Sequence, residues 1–338
     1  MRQFRSRTGV TVLTVAAVFM PLLAQTASNG SVVSAPDTRA KIWKVGRTPD
    51  GKPDLQGYWT NLITTPLERA ANLGAKEFYT PEEAAANATR GAGRGGAAQA
   101  SGELRVHYNE IQFGLDRSQT TKVSGLRTSL IIGPEGKIPL MTPEAQGRNG
   151  ERAALAKGHE FDGPENRGLA ERCLTFVSDG PPMMAPAYNG NYQIVQGDGY
   201  VTILIEMMHR LRVIPTDGRP HIPATIRQWN GDSVGHWEGD TLVVDTTNFT
   251  DKTNFRGSGE NLHVIERFTR VAEDTLLYQF TVDDPSTWIK PWTAEISMPK
   301  VEGPIFEYAC QEGNYGLPNV LSGARATEKA SAVGSPTQ

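Results

Sequence analysis

The sequence predicts a mainly β fold: an antiparallel up-and-down barrel, or a strongly bent meander, with short flanking helices. An acidic turn directly precedes a run of apolar and β-branched residues at residues 197–201, 238–242 and 273–276. Further strand-like runs follow at hairpin spacing, at residues 262–270, 292–298 and 305–310. Strands do not alternate with helical segments, which disfavours a parallel sheet built from βαβ units.

The first 27 residues have the pattern of a secretory signal peptide. Arg2, Arg5 and Arg7 form a positive start, and residues 10–23 are an uncharged apolar run. This run is shorter than the roughly 20 residues that a membrane-spanning helix needs. We therefore expect a periplasmic or secreted protein with no integral membrane segment after cleavage.

Proline, glycine and threonine residues mark the boundaries between segments in the rest of the chain. Residues 28–54 read as an extended lead-in, and residues 55–190 as a first strand at 55–60 followed by mixed helix and loop. Helices are expected after Thr80 and Thr142, because each threonine can cap a helix whose first residue is proline. We expect a flexible loop at residues 91–102, a small hairpin at 130–140, the β-meander core at 191–312, and a C-terminal helix with a disordered tail at 313–338.

Charge and cysteine content exclude some classes of partner. The formal net charge is −3, so no basic field indicates binding to nucleic acid or to an anionic membrane. The chain has two cysteines, Cys173 and Cys310, which in an exported protein indicate one disulfide. The alternative is two unpaired buried thiols.

Short motifs in the sequence resemble two known groups of proteins. Gly57-Tyr58-Trp59 resembles the Gly-x-Trp that lipocalins place in their first barrel strand, although about 130 residues, 61–191, separate it from the meander. The chain also resembles a functionally uncharacterised family of exported bacterial proteins, through RTPDGKPDLQGYW at residues 47–59, WEGDTLVVDTTNF at 237–249 and EYACQEGN at 307–314. Members usually carry histidine where this chain has Gln311. This resemblance implies export and a shared fold, and it implies no chemistry.

Histidine and carboxylate spacing does not favour a metal site. Glu206 and His209 have the Glu-x-x-His spacing that aligns two ligands on a helix. The residues before them are β-rich, and a strand places positions three apart on opposite faces. We expect no metal and no other cofactor.

Strand alternation places three carboxylates among apolar side chains: Asp245 with Val243, Glu266 with its apolar neighbours on one strand, and Glu307 on another. Such a carboxylate is either paired with arginine or held with a raised pKa for acid–base chemistry. Both interpretations stay open.

A Gly-x-Ser-x-Gly string, residues 231–235, resembles the nucleophile elbow of serine hydrolases. That elbow needs a strand before the serine and a helix after it, whereas a turn and a β-branched run follow Ser233. A surface turn is the simpler interpretation.

The leading functional hypothesis is an exported barrel that binds, or also converts by cofactor-independent acid–base chemistry, a small and mainly apolar molecule. The candidate catalytic residues are Glu206, His209, His236 and Glu266, and the candidate ligand-binding residues are Arg212, Asn248, His263, Trp237 and Tyr278. One alternative is a serine esterase that uses Ser233 and His236. Another is an envelope-associated structural or interaction protein.

Overall fold

Two antiparallel sheets dominate the computed structural model, which describes residues 43–84, 86, 125–186 and 188–334. The described residues all belong to one compact unit, Trp43–Gln338. The predicted signal peptide, the lead-in up to residue 42 and the predicted flexible loop at 91–102 lie outside them.

The first sheet has four strands in the order β1-β2-β3-β4, and the second has five in the order β5-β6-β7-β8-β9. Their bounds are β1 Gly57–Thr60, β2 Asn191–Gly197, β3 Tyr200–Ile205, β4 Arg210–Pro215, β5 Asp232–Glu238, β6 Thr241–Thr247, β7 His263–Ala272, β8 Thr275–Asp283 and β9 Trp292–Pro299.

The three predicted acidic turns are the two-residue connections of three hairpins. They join β2 to β3, β5 to β6 and β7 to β8. Gly199 and Gly239 have φ values of 75° and 58° in the first two turns. This left-handed conformation is one that glycine adopts at little steric cost, and tight hairpin turns require it.

Alternation along the strands builds one shared core. In β8, Leu276, Tyr278, Phe280 and Val282 are buried, while the residues between them are half-buried. Side chains of the first sheet, such as Ile203, join the same hydrophobic cluster. The inner faces of the two sheets therefore enclose a core filled by side chains.

The prediction of an antiparallel, mainly β fold is confirmed, but the described strands do not close into a barrel. β4 and β5 are not hydrogen-bonded neighbours. On the other side, a single bridge pairs Trp59 with Lys300, and the Val301 N–H donates to the Tyr58 carbonyl over 3.0 Å. The single expected meander is therefore two sheets.

Two predicted β segments are wrong. Residues 130–140 form no hairpin: Ile131 bridges Ala294 of β9, and the Ile132 N–H donates to the Thr293 carbonyl over 3.1 Å. Residues 305–310 are irregular rather than a strand, and Glu307 is exposed instead of lying on an apolar face.

The helices lie outside the sheets. Helix α1 is Pro143–Ala156 and helix α2 is Gly316–Gly334, with 3₁₀ turns at Ala71–Leu73, Pro164–Asn166 and Met207–His209. The Thr142 hydroxyl accepts from the Ala145 N–H over 3.1 Å, which confirms the predicted cap of α1. Residues 81–84 are helical after Thr80, as predicted.

Cys173 and Cys310 form the predicted disulfide, with their Cα atoms 5.8 Å apart. The bond is consistent with an extracytoplasmic protein, because disulfides persist in oxidising compartments. Within the described residues, no helix is both long enough and apolar enough to cross a bilayer.

Candidate functional site

A loop at residues 178–184, Ser-Asp-Gly-Pro-Pro-Met-Met, forms one wall of the candidate site. The peptide bonds Gly180–Pro181 and Pro181–Pro182 are both cis. Consecutive prolines lack the N–H groups that a helix or a central strand needs, so the chain here forms neither of these elements. All seven residues except Gly180 are buried. We call this segment the proline loop.

Side chains from both sheets hold the proline loop through its backbone. The Met183 N–H donates to the Tyr278 hydroxyl over 2.8 Å, and the Tyr192 hydroxyl donates to the Ser178 carbonyl over 3.0 Å. The Asn61 amide donates to the carbonyls of Met183 and Met184 over 3.3 and 3.1 Å. These contacts satisfy buried backbone groups of a segment that has no ladder of its own.

Asp179 fixes the same loop through its side chain. Its carboxylate accepts from Arg210 Nε over 2.9 Å and from the Thr175 hydroxyl over 2.7 Å. Burial raises the pKa of Asp179, although the Thr175 hydrogen bond and the Arg210 charge oppose that rise. The Asn230 amide donates to the Gly180 carbonyl over 2.6 Å and so ties the loop to the segment before β5.

A buried ion pair in the core contacts Tyr278. Arg212 Nη1 and Nη2 donate to the two carboxylate oxygens of Glu266 over 3.0 and 2.6 Å, and the Tyr278 hydroxyl donates to Glu266 over 2.8 Å. Burial, and next the charge of Glu266, raise the pKa of Tyr278 well above its ordinary value. Tyr278 therefore stays protonated and links the ion pair to the proline loop.

A cavity of about 1250 Å³ lies against the outer side of the proline loop. Segments 165–177, 229–230 and 251–256 form its other walls, with side chains from residues 63–67, 130 and 152. Its apolar lining includes Phe176, Trp229, Phe255, Pro181, Pro182 and Met184. Asn230 also lines the cavity, while its Oδ1 is buried within the protein and has no hydrogen-bond partner among the described residues. The walls offer a ligand mainly apolar surface.

The nine predicted site residues are all described, and none of them lines this cavity. Glu266, Arg212 and Tyr278 form the core network, so for Glu266 the arginine-paired interpretation holds. Tyr192 and Tyr278 are fully buried core residues, whereas the aromatic residue Trp229, just before β5, lines the cavity. We expected the binding pocket in the interior of the β structure, whereas the residues that line the cavity lie outside the strands.

Glu206 and His209 lie together at the end of β3, in different environments. Glu206 is buried and accepts from the Asn191 side-chain amide over 2.8 Å, and burial raises its pKa. His209 is exposed, and φ values of 59° and 47° at Met208 and His209 mark a tight turn rather than a strand. The two side chains therefore do not share a site.

Ser233 and His236 lie on opposite faces of β5. The Ser233 hydroxyl points inward, 2.8 Å from the Thr246 hydroxyl and 3.3 Å from Arg212 Nη2. His236 is exposed and pairs with Glu238 over 3.1 Å. This geometry gives no support to a serine–histidine pair, because the base cannot reach the hydroxyl through the sheet. Ser233 belongs to a strand, not to the surface turn that we expected.

The other predicted ligand-binding residues are separate from one another. Trp237 packs half-buried against the core. Asn248 is buried with φ 59°, and its side-chain amide donates to the Ile222 carbonyl over 2.9 Å. His263 belongs to a cluster described next.

A histidine–aspartate cluster that strand alternation did not predict lies on the outer face of the second sheet; its members are His221, Asp232, Asp245 and His263. His221 contacts Asp232 over 2.8 Å and Asp245 over 3.1 Å, and His263 contacts Asp245 over 2.9 Å. The hydrogen bond to Asp245 raises the pKa of His263, and the hydrogen bond from His263 lowers the pKa of Asp245. No group of three or more His, Cys, Asp or Glu within the described residues is arranged to hold a metal ion.

Comparison of the chain with protein-family models, with curated proteins and with solved structures gives no match. The two resemblances therefore stay predictions, and the functional argument rests on the site itself.

Proposed function

We propose that this protein binds a small, mainly apolar molecule in the cavity beside the proline loop, as an exported periplasmic or secreted binding protein. The observation that carries the proposal is the cavity's aromatic lining, Phe176, Trp229 and Phe255 together with prolines and a methionine. Its volume of about 1250 Å³ is somewhat larger than the roughly 300–1,000 Å³ of typical small-molecule sites. A ligand of two or three rings would fit.

The supporting contacts favour a site that exists before the ligand arrives. Tyr278, Tyr192, Asn61 and Arg210 hold the proline loop from within the core. A wall fixed in this way loses little conformational freedom when a ligand binds, and this small entropic cost favours affinity. The proposal assigns no reaction, because the candidate acid–base residues lie away from the cavity.

A suitable neutral probe is N-phenyl-1-naphthylamine (NPN), whose fluorescence rises in apolar surroundings. It has about 17 non-hydrogen atoms, and at about −0.3 kcal/mol per atom its Kd should be about 0.2 mM or tighter. We expect saturable binding to the purified protein. Binding should be lost in Ala170→Trp, since Ala170 is half-buried in the cavity wall and the indole would occupy the space.

Ala326→Trp on the exposed side of α2 is the matched control and should bind NPN like the wild type. Circular dichroism and the Tm report whether each variant folds, and Gly168→Trp, at another wall position, replaces Ala170→Trp if that variant does not. Absence of NPN binding to the wild type would overturn the proposal. Equal binding by a folded cavity-filling variant would overturn it too.

A further inference from the structure

The cavity carries more positive than negative charge, although the whole chain is negative. Five cationic and three anionic side chains line it, whereas the formal net charge of the chain is −3. The cationic residues are Arg152, Arg167, Arg172, Lys252 and Arg256, and the anionic ones are Glu165, Asp179 and Asp251. A concave site with one excess sign concentrates ligands of the opposite sign.

Partners within the protein neutralise some of these charges but not all of them. Asp179 pairs with Arg210, and Arg167 pairs with Glu171 over 2.9 Å. In contrast, the side chains of Arg172, Lys252 and Arg256 form no hydrogen bond and no ion pair with any other described residue. These three cations are available to a ligand.

The segment that carries two of these cations is held in an unusual backbone conformation. Asn254 and Arg256 have φ values of 46° and 50°, in the left-handed region that non-glycine residues rarely adopt. The Thr253 hydroxyl donates to the Trp229 carbonyl over 2.6 Å, and Arg152 donates to the Asn254 side chain over 3.1 Å. These contacts fix the segment against the aromatic wall.

The left-handed conformation of Arg256 belongs to a tight turn. The Ser258 N–H donates to the Phe255 carbonyl over 2.9 Å, and the two residues between them, Arg256 and Gly257, have φ values of 50° and 96°. Positive φ at both central residues is the geometry of a type I′ turn. The turn places the exposed Arg256 next to Phe255 at the cavity wall.

We infer that the ligand is an organic anion: an apolar, ring-containing body with a carboxylate or sulfonate group. The body lies against Phe176, Trp229 and Phe255, and the acid group is held by Arg172, Lys252 and Arg256. Charge-assisted hydrogen bonds from lysine and arginine to such groups are stronger than neutral ones, and arginine can bind them with two parallel N–H groups. This inference rests on the proposed function, because it names the ligand class of the same cavity.

The test compares two probes with the same rings. 8-Anilino-1-naphthalenesulfonate (ANS) has the rings of NPN and adds a sulfonate. We expect the purified wild-type protein to bind ANS at least tenfold more tightly than NPN at low ionic strength. This ratio should fall as salt is added, because salt screens exposed charges.

The double variant Lys252→Met/Arg256→Met should lower the ANS-to-NPN affinity ratio about tenfold. The matched control is Arg219→Met, an exposed arginine outside the cavity that pairs with Asp217, and it should leave the ratio unchanged. Failure of NPN to bind the wild type would overturn the proposed function and this inference with it. Cavity-dependent NPN binding with an ANS-to-NPN ratio near one, or a ratio that the double variant does not change, would overturn this inference alone.

Discussion

Removal of one partner from the core ion pair should destabilise the protein strongly. Arg212 lies on β4 in the first sheet and Glu266 on β7 in the second, so their contact joins the two inner faces. The side chain of Arg212 is 6% exposed and that of Glu266 is 0% exposed. Arg212→Met keeps a long apolar side chain at this position but leaves the Glu266 carboxylate with Tyr278 as its remaining donor.

The expected cost follows from this burial. Breaking a buried ion pair by removing one partner typically costs about 3–5 kcal/mol, because the other charge stays in a poorly solvating interior. Addition of Glu266→Gln to Arg212→Met removes that charge and keeps an acceptor for the Tyr278 hydroxyl. The double variant should then be less stable than the wild type by about 1–3 kcal/mol, the cost of an unsatisfied buried amide.

Urea unfolding followed by tryptophan fluorescence and circular dichroism measures both free energies, provided that the two probes give coincident transitions. The distinctive expectation is that the second substitution stabilises the first. A loss below about 1 kcal/mol in Arg212→Met, or a further loss in the double variant, would refute the uncompensated-charge argument.

Three further predictions concern other parts of the structure. Replacing Cys173 and Cys310 by serine should lower the free energy of unfolding in urea by about 2–5 kcal/mol, since the disulfide spans 137 residues; an unchanged midpoint would contradict this. His263→Gln should destabilise more at about pH 5.5 than at about pH 8.5. Because the pKa of His263 is raised in the folded protein, protonated His263 stabilises the fold at pH values below its pKa in the unfolded chain, and this contribution is lost as the pH rises through its pKa in the folded protein. The lowered pKa of Asp245 contributes stability at pH values above the pKa of Asp245 in the unfolded chain. Equal losses of unfolding free energy in urea at both pH values would count against the pairing. Gly180→Ala should lower the Tm and weaken NPN binding, because φ is 40° and a Cβ would lie 2.7 Å from a backbone nitrogen; wild-type values for both would contradict the described loop.

Local signals in the sequence predicted the parts of the fold that depend on local structure. The acidic turns before residues 200, 241 and 275 are two-residue hairpin turns, which fix both neighbouring strands. Thr142 before Pro143 predicted the start of α1 for a similar reason, since cap and first turn lie next to each other in the chain.

The errors in the fold prediction concern which segments lie beside each other. Residues 130–140 contain the Pro-Glu-Gly turn of a hairpin, but Ile131 pairs with β9, more than 150 residues later. β4 and β5 are consecutive in the sequence, yet they belong to different sheets. Hydrophobic alternation identifies a buried strand face without specifying which strand lies beside it.

The sequence predicted less of the candidate site than of the fold. Alternation placed Glu266 correctly on the inner face, and pairing with an arginine was one of the two interpretations that it left open. The cavity, however, is lined mainly by irregular segments around residues 165–186 and 251–256, for which no periodic pattern exists. The available signals were the break at Pro181-Pro182 and the aromatic and basic residues between regular elements, such as Phe176 and Arg256.

The most direct test of the binding proposal is a crystal structure of the purified protein grown with NPN. The proposal predicts electron density for the probe beside the proline loop, with its rings against Phe176, Trp229 and Phe255. Density for the probe between the two sheets or on an outer sheet face, with the cavity filled by protein side chains, would contradict it.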